Sequence, residues 1–529
     1  MRSWWWLNPL IIGVYMAAMI ATGFFFSRRQ TSTEAYFVAN RSIPGWAMGI
    51  SLLATIITSV TFIAYPGAAY AGNWALIVPG IMMIAVPLLA GPVIVPFFRH
   101  VVRMSAFEYF GLRFGTGVRL YSSAMFGVGH LLKMAFVIYL LSLTVKSMTG
   151  WNLDLVLAAT VSVTILYAFV GGLEAVIWAD VFQGIMLWAG ALIAAGYLIA
   201  LTPVPLPDIL ATAWHAHKFS LGSWTMNPRK ASGVVLLLYG FFFYLQKYTA
   251  DQTVVQRYLA ARSDSQALRG ILIGAGLCLP VWSLFMFLGT LLWAFYRISA
   301  ERLPAFISKG DQVFPYFLSA HLPPGAGGVF LAALFGAGMA MLASDLNCLA
   351  TVSITDFYRH WHPHASDRRC LRLGRICVCA SGVLAAVIAW LLAHMPGAAL
   401  ALYYAATSIV AGGLAGIFLL SFLSARATAF GVQTAIVVNL IFTVWATLTS
   451  GEHPLLAAAR FRFTWHDYLI GVVGQLIVLG VGYAVSWLSP RTTPPTTVMT
   501  IWNWRRQQRQ GLSQSQNGTP LQFTHSSEQ

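Results

Sequence analysis

The stretch SLLATIITSVTFIAYPGAAYAG, residues 51–72, is apolar enough to cross a membrane but carries features that interrupt a helix. Four hydroxyl side chains fall between positions 55 and 61, and Pro66-Gly67 follows them. Proline removes a helical hydrogen bond and kinks or breaks the helix that contains it. The stretch therefore predicts a broken membrane helix. In an alternative interpretation, the hydroxyl groups only hydrogen-bond to the backbone of their own helix.

A second interrupted stretch, YGFFFYLQKYTADQTVVQRYL at residues 239–259, crowds polar side chains into the inner end of a short apolar span. Five apolar spans between residues 46 and 200, and five more between 233 and 420, place the two interruptions in corresponding halves of the chain. Paired discontinuous helices of this kind are typical of transporters built from inverted repeats, whose binding site lies at the membrane midplane.

The composition predicts an all-α integral membrane protein. The 529 residues are 58% hydrophobic and 9% charged, whereas a soluble domain carries about 25% charged residues. Helices of about 20 apolar residues cross a hydrocarbon core of about 30 Å. About thirteen such spans are predicted, at residues 6–27, 46–72, 74–98, 120–145, 151–173, 175–200, 233–250, 270–296, 326–358, 373–394, 397–420, 427–449 and 467–489.

The net charge of +16 follows the predicted topology. With the N-terminus outside, 20 of the 32 basic residues fall in one set of loops, Arg257 among them, while Lys133 and Lys247 fall within spans. Loops rich in Lys and Arg remain in the cytoplasm. We therefore expect a multi-pass protein of the plasma (inner) membrane, with the N-terminus outside, the C-terminus in the cytoplasm and no nucleic-acid partner.

The spans and loops predict six segments. These are an extra N-terminal helix with a cytoplasmic loop (1–45), a first inverted repeat (46–200), an extracellular loop (201–232), a second inverted repeat (233–420), two C-terminal helices (421–489) and a cytoplasmic tail (490–529). The tail is rich in Gln, Ser and Thr, a composition that predicts disorder.

Four ionisable side chains within predicted spans stand out: Lys133, Asp180, Lys247 and Asp345. Such a group costs about 2.5–3.5 kcal/mol at mid-bilayer on insertion scales, so each is a candidate functional residue. Lys133 shares a helix face with His130, three residues earlier, and a cation there suits an anionic ligand. The alternative for each carboxylate is a buried pair that only packs helices together.

Five motifs resemble the solute:sodium symporter family, and the resemblance extends from about residue 34 to 425. They are EAYFVANRSIPGW (34–46), SAFEYFGLRFG (105–115), GGLEAVIWADVFQ (171–183), DQTVVQRYLAA (251–261) and ASDLNCLATVSITDFYR (343–359). The resemblance implies the leucine-transporter-like fold of the amino acid, polyamine and organocation transporters. This fold has inverted five-helix repeats and works by alternating access.

The resemblance also implies a Na⁺ ion between the first and eighth core helices, held by backbone carbonyls and two adjacent hydroxyl side chains. The carbonyl positions match Ala54, Ile57 and Ala337. The hydroxyl positions fall on Ala340 and Met341, which offer no oxygen ligand for a hard cation. The cation is therefore expected either to bind weakly, through carbonyls and water, or to bind elsewhere.

Some sialic acid carriers of the family have a second sodium site. Its acidic ligand matches Asp180, and one of its serines matches Ser344. Two further serine positions fall on Ala340 and Ala343, so the resemblance implies a site that is only partly kept. Asp180 is thus a candidate cation ligand or proton acceptor.

In the same carriers, a basic residue that binds the substrate carboxylate matches Lys133. The inner-gate aromatic of the family matches Lys247. Two lysines near the pocket favour an anionic or carboxylated solute. The candidate substrate-binding residues are Thr58, Thr61, Lys133, Tyr244 and Lys247, and the candidate gate residues are Lys247 and Tyr248.

These observations favour a secondary active symporter that imports a small organic solute, such as a sugar, an acidic sugar or another carboxylate. The expected coupling ion is Na⁺, with H⁺ as an alternative. In a further hypothesis, Lys247 or Lys133 supplies positive charge in place of Na⁺. A carrier with lost or altered sodium coupling, or a transporter-like nutrient sensor, also stays open. No enzyme chemistry, cofactor or obligatory protein partner is expected besides the solute and the lipid bilayer.

Overall fold

The computed structural model describes residues 6–299, 301–305, 307–394, 413–450, 461–490 and 499–516. Throughout these ranges the secondary structure is helical, apart from one isolated β-bridge between Ile43 and Ala261. The α-helices are α1 (Leu7–Ser27), α2 (Thr33–Val38), α3 (Gly45–Ile56), α4 (Ser59–Ala71), α5 (Val78–Val101), α6 (Glu108–Phe114), α7 (Thr116–Thr149), α8 (Leu153–Leu201), α9 (Leu206–His215), α10 (Gly233–Ala250), α11 (Gln252–Ala260), α12 (Asp264–Ile298), α13 (Gly310–His321), α14 (Ala326–Val352), α15 (Arg359–Trp361), α16 (Asp367–His394), α17 (Leu414–Leu423), α18 (Ala429–Thr449), α19 (Tyr468–Leu488) and α20 (Ile501–Gln516).

Nine helices of the described ranges are long and apolar enough to cross a membrane, and α3 with α4 forms a tenth span as a bent pair. Helix α8 has 49 residues, about 74 Å at 1.5 Å per residue, which is more than twice the thickness of a hydrocarbon core. Gly172 interrupts it with φ 58° and ψ −161°, so α8 contains the two predicted spans 151–173 and 175–200. The span predicted at 397–420 lies partly outside the described residues, and the count of thirteen stays a prediction.

Both predicted interruptions are present. Helices α3 and α4 are bent by 63°, and Ile57 and Thr58 between them have extended backbone. Pro66 lies inside α4 and does not make this break. Helices α10 and α11 are separated by the extended residue Asp251, whose carboxylate accepts from the Thr253 backbone N–H at 2.9 Å.

Helix α14 is the centre of the molecule. In its most apolar stretch 89% of the residues are buried, compared with 28% for α1 at the periphery. It packs against α1, α3, α7, α8 and α16. Polar side chains on α14 therefore have to find partners on these neighbours, because neither water nor lipid reaches them.

The end of the molecule that is predicted to face the cytoplasm is closed by α11, all of whose residues are buried. The Gln252 side chain donates to the Met104 carbonyl and accepts from the Ala106 N–H at 2.8 Å, which ties α11 to the loop before α6. Arg119 lies 2.7 Å from the buried carboxylate of Asp356 nearby. These contacts pack α11, the loop before α6 and the start of α7 against one another at this end.

The predicted extracellular loop, 201–232, is fastened to the broken helix by Lys218. Its ammonium, only 7% exposed as a residue, donates to the carbonyls of Ala69, Tyr70 and Gly72 at 3.2, 2.8 and 3.0 Å. These carbonyls belong to the C-terminal end of α4, where no helical N–H is available to them. The loop and the second half of the broken helix, α4, are therefore joined.

The prediction of disorder for the tail is wrong for residues 501–516, which form α20. Its first turn is anchored to the body of the protein. The indole N–H of Trp502 donates to the Leu423 carbonyl at 2.9 Å, and the ring of Trp504 packs edge-on against Phe97. The tail as a whole is polar in composition, so the sequence did not indicate that a few of its apolar residues pack against the protein.

Candidate ion and substrate site

The Asp180 carboxylate lies in the centre of the bundle and is completely buried. Its Oδ2 atom is 2.9 Å from Nη2 of Arg257 and accepts from the Ser51 hydroxyl at 2.6 Å. Arg257 is 1% exposed, so both charges are removed from water. The alternative interpretation of Asp180 as a member of a buried pair is therefore supported, and its partner is an arginine.

The guanidinium of Arg257 donates to an oxygen-rich pocket formed by α3, α8, α14 and its own helix, α11. Nε donates to Ser51 Oγ at 2.9 Å, and Nη1 donates to the Thr253 carbonyl at 2.6 Å. Nη2 donates to the hydroxyls of Thr55 and Ser344 as well as to Asp180. Ser344, matched to a second sodium site, is thus linked to Asp180 through Arg257, which supplies a cation to these oxygen atoms.

The assignment of Arg257 to a cytoplasmic loop is wrong. Counting the basic residues of loops treats each arginine as exposed, but Arg257 belongs to α11, which re-enters the core after the break at Asp251. The only indication in the sequence was Asp180 itself, because a carboxylate buried in a membrane needs a cationic partner. The distance of 77 positions between the two residues in the chain gives no indication of the pairing.

The positions matched to the first sodium site lie at the packed interface of α3 and α14. Helix α3 ends at Ile56, so the carbonyls of Ala54 and Ile57 fall in a final turn that has no helical N–H to pair with. Ala337 and Met341 are buried on α14. The Ala340 carbonyl accepts from the Ser344 hydroxyl at 2.8 Å. The side chains of Ala340 and Met341 supply no oxygen.

A second group of charges surrounds Asp345 on α14. Oδ2 of Asp345 is 2.9 Å from the ammonium of Lys133, and Oδ1 is 2.9 Å from Nδ1 of His130. Nε2 of the same imidazole is 3.5 Å from Oδ2 of Asp251, which also pairs with Lys247. These five groups are defined here as the charge cluster.

Both intramembrane lysines are therefore paired. The side chains of Lys133 and Lys247 are 25% and 21% exposed, while those of Asp345 and Asp251 are 0% and 7% exposed. The lysine side chains are thus more exposed than the aspartate side chains that they neutralise. An anionic ligand would have to share each lysine with its aspartate.

The remaining candidate residues line the two breaks. Thr58 is half-buried at the start of α4, and its side chain caps no backbone N–H. Thr61 is buried one turn later. The Tyr248 hydroxyl donates to the Met83 carbonyl at 3.0 Å, which holds this candidate gate residue against α5. Tyr244 packs against the ring of Trp282 on α12.

The comparisons with known proteins agree with one another. The model of the sodium:solute symporter family matches residues 36–438. A sodium/sialic acid symporter of Aliivibrio fischeri is 29% identical over 489 residues, which cover 91% of this chain and 93% of the relative. A sodium/sialic acid symporter of Proteus mirabilis is 28% identical over 479 residues, covering 90% of this chain and 94% of the relative.

Solved structures extend the likeness to the fold. A substrate-bound, outward-open Na⁺-coupled sialic acid symporter superimposes with a TM-score of 0.82 at 27% identity, covering 92% of this chain and 98% of that chain. A transporter of the nucleobase-cation-symport-1 family superimposes with a TM-score of 0.52 at 16% identity, covering 87% and 96%, and shows the fold alone. The predicted fold class is confirmed. The chain belongs to the sodium:solute symporter family and is a cation-coupled symporter of a small organic solute.

Proposed function

We propose that the protein imports an acidic sugar of the sialic acid type together with Na⁺. The two relatives and the solved symporter that support this proposal are named for sialic acid and sodium, and each match covers at least 90% of this chain. Residues Thr58, Thr61, Lys133, Tyr244 and Lys247 would contact the solute. The inner gate would be formed by Lys247 and Tyr248, which are consecutive residues near the second break.

The observation that carries the choice of an acid is the position of Lys133. Its side chain is a quarter exposed in the middle of an apolar bundle, at the position that binds the substrate carboxylate in the carriers this chain resembles. A carboxylate can approach this ammonium because a lysine donates up to three hydrogen bonds and Asp345 does not use them all. A neutral sugar would gain much less from such a charge.

For the ion, we propose that the carbonyls of Ala54, Ile57 and Ala337 hold Na⁺ together with water. The side chains of Ala340 and Met341 would only pack around it, and Na⁺ binding would be weak for this reason. Binding of Na⁺ at the end of α3 would stabilise the broken helix and so raise the affinity for the solute.

Uptake into proteoliposomes tests the proposal. We expect radiolabelled N-acetylneuraminic acid to accumulate under an inward Na⁺ gradient and a neutral sugar not to compete. Lys133→Met should lower uptake at least tenfold, whereas Lys146→Met, an exposed lysine on the same helix, should leave it unchanged. Preference for a neutral solute, or equal uptake in both variants, would refute the acidic-sugar assignment.

The missing hydroxyl groups at Ala340 and Met341 favour a second candidate, a carrier of the same solute whose coupling to Na⁺ is lost or altered. Uptake measurements in the same proteoliposomes distinguish this candidate from the Na⁺-coupled symporter. Uptake that is unchanged when choline replaces Na⁺, but that follows an inward proton gradient, would support proton coupling. Uptake that is indifferent to both gradients would support an uncoupled carrier.

We also propose that the protein lies in the plasma (inner) membrane with its N-terminus outside, and that residues 46–200 and 233–420 form the inverted repeats. The basic loops support this orientation. A cysteine placed at exposed Arg28 should react with an impermeant maleimide only after the cells are lysed. One placed at exposed Thr225 in the 201–232 loop should react in intact spheroplasts. The opposite labelling would reverse the topology.

A further inference from the structure

The charge cluster joins three parts of the fold. Lys133 and His130 come from α7, and Asp345 comes from α14. Lys247 comes from the end of α10, and Asp251 forms the break before α11. His130 is the only member that touches both aspartates among the described contacts, at 2.9 and 3.5 Å. The imidazole is therefore the link between the two ion pairs.

The position of this imidazole between two carboxylates suits a bound proton. Each ring nitrogen faces a carboxylate oxygen: Nδ1 faces Asp345, and Nε2 faces Asp251. A neutral imidazole has one N–H and one lone pair, so one nitrogen would turn its lone pair toward a carboxylate. Only the imidazolium form presents an N–H to both. The ring of Phe126 packs over the imidazole with centroids 4.0 Å apart and helps to hold this orientation.

The net charge of the cluster makes binding of this proton depend on the solute. With a neutral His130, two ammonium groups balance two carboxylates, and an incoming anion meets no excess charge. With an imidazolium there are three positive groups against two negative ones. A buried excess charge is unfavourable unless a counter-ion accompanies it. An anionic solute is such a counter-ion, so binding of the proton and of the solute would strengthen each other.

We propose that His130 is the binding site of a proton that binds together with the anionic solute. This inference rests on the proposed function for the anionic nature of the solute, and it adds a second cation that the sodium sites do not include. The solute carboxylate would approach the ammonium of Lys133, whose side chain is partly exposed, one helical turn from the protonated ring.

The charged groups around His130 come from three elements. They are Asp345 from α14, Lys133 from α7 itself, and Lys247 and Asp251 from α10 and its break, with the Cys348 thiol on α14 near Asp345 and Asp251. The Cys348 thiol donates to the Gln256 side chain at 2.8 Å. Loss of a proton by a lysine, or gain of one by an aspartate, would each change the same balance, so the test has to address His130 directly.

Isothermal titration calorimetry of the purified full-length protein measures how many protons are taken up for each solute bound. N-acetylneuraminic acid is titrated at pH 8, at fixed Na⁺, in several buffers of different ionisation enthalpy. Free imidazole is largely neutral at this pH. The slope of the observed enthalpy against the buffer enthalpy should show about one proton taken up per solute bound. His130→Gln should reduce this number to near zero, whereas His100→Gln, an exposed histidine, should not. A wild-type count of zero, or an unchanged count in His130→Gln, would overturn the proposal.

A second measurement observes the imidazole itself and separates this proposal from the proposed function. In protein with ¹⁵N-labelled histidine, the ring signals that disappear in His130→Gln belong to His130. An imidazolium gives two similar ring shifts, and a neutral ring gives two widely separated ones. Saturating N-acetylneuraminic acid at pH 8 should change the His130 signals from the neutral pattern to the imidazolium pattern. Solute binding that leaves the His130 pattern unchanged would refute the proton site, whereas the absence of solute binding would refute the proposed solute.

Discussion

Nη2 of Arg257 lies 2.9 Å from Oδ2 of Asp180, and neither residue is more than 1% exposed. The same nitrogen donates to the hydroxyls of Thr55 and Ser344. Asp180 and Ser344 are the residues matched to a second sodium site, and a side-chain cation lies between them. The carboxylate is therefore already neutralised before any Na⁺ ion arrives.

We expect either single replacement of this pair to destabilise the protein strongly. Removing one partner of a buried ion pair leaves an uncompensated charge and costs about 3–5 kcal/mol. Asp180→Asn and Arg257→Gln should each lower the unfolding temperature in detergent, and the double variant should lose less than the sum of the two.

The control is Arg359→Gln, which breaks the pair with Asp367. Both side chains of that pair are at least a third exposed, so the change should cost no more than about 1 kcal/mol. Strictly additive effects of Asp180→Asn and Arg257→Gln would contradict a direct interaction.

A second prediction concerns Na⁺ at the same position. In Arg257→Gln, the Asp180 carboxylate and the hydroxyls of Ser51, Thr55 and Ser344 lose their guanidinium. Carboxylate and hydroxyl oxygens are ligands that hard cations prefer. We expect Na⁺ to stabilise this variant more than the wild type, by about 2.7 kcal/mol at a hundred times the dissociation constant. Thermal shift in a NaCl series, with choline chloride at matched ionic strength, measures the difference.

The control for that experiment is the double variant Asp180→Asn/Arg257→Gln, which lacks the carboxylate and should lose the additional Na⁺ response. If wild type and Arg257→Gln responded equally to Na⁺, the Asp180 pocket would not be a latent cation site.

The third prediction restores the hydroxyl pair of the first sodium site. Ala340→Ser/Met341→Ser places two oxygen ligands at the positions where related carriers have them. An additional favourable contribution of about 1.4 kcal/mol corresponds to a tenfold gain in affinity, and we expect at least this decrease in the Na⁺ concentration for half-maximal uptake. The matched control, Ala332→Ser/Met339→Ser, changes equally buried positions of α14. A similar decrease in both double variants would contradict a sodium site at 340–341.

The sequence was sufficient for the fold because apolar length and interrupted spans are local features. The breaks near 57 and 251 were predictable, since hydroxyl and charged side chains interrupt apolar runs at both places. The exact cause of the first break was not predictable, because Pro66 lies within α4 and does not interrupt it. Helix α20 was not predicted, because its few aromatic residues lie in a segment that is polar on average.

The candidate site was only half predictable. The sequence identified Lys133, Asp180 and Asp345 by the cost of placing charge in a membrane. It did not reveal their partners, because pairing depends on which helices meet. Arg257 is 77 positions from Asp180, and Lys133 is 212 positions from Asp345. Only the packing of α7, α8 and α11 around the centre brings these residues together.

The fourth prediction concerns the break in α8. Gly172 has φ 58° and ψ −161°, a conformation nearly restricted to glycine, and a Cβ there would lie 2.8 Å from the Tyr36 ring. We expect Gly172→Ala to destabilise the protein by about 1–3 kcal/mol or more. Gly196→Ala, on the same helix with open space around it, should be neutral or slightly stabilising. The stability of the two variants is compared by size-exclusion chromatography after heating to a series of temperatures. Equal tolerance of both changes would mean that the break does not require glycine.

The three hydrogen bonds from Lys218 couple the 201–232 loop to α4. Tilting of α4 would carry the loop with it, and a loop held still by a bound molecule would hold α4 in place. An antibody fragment that recognises this loop could therefore arrest the transport cycle without entering the solute pocket. Lys218→Met would cut the connection, so that the same antibody fragment would still bind but no longer inhibit.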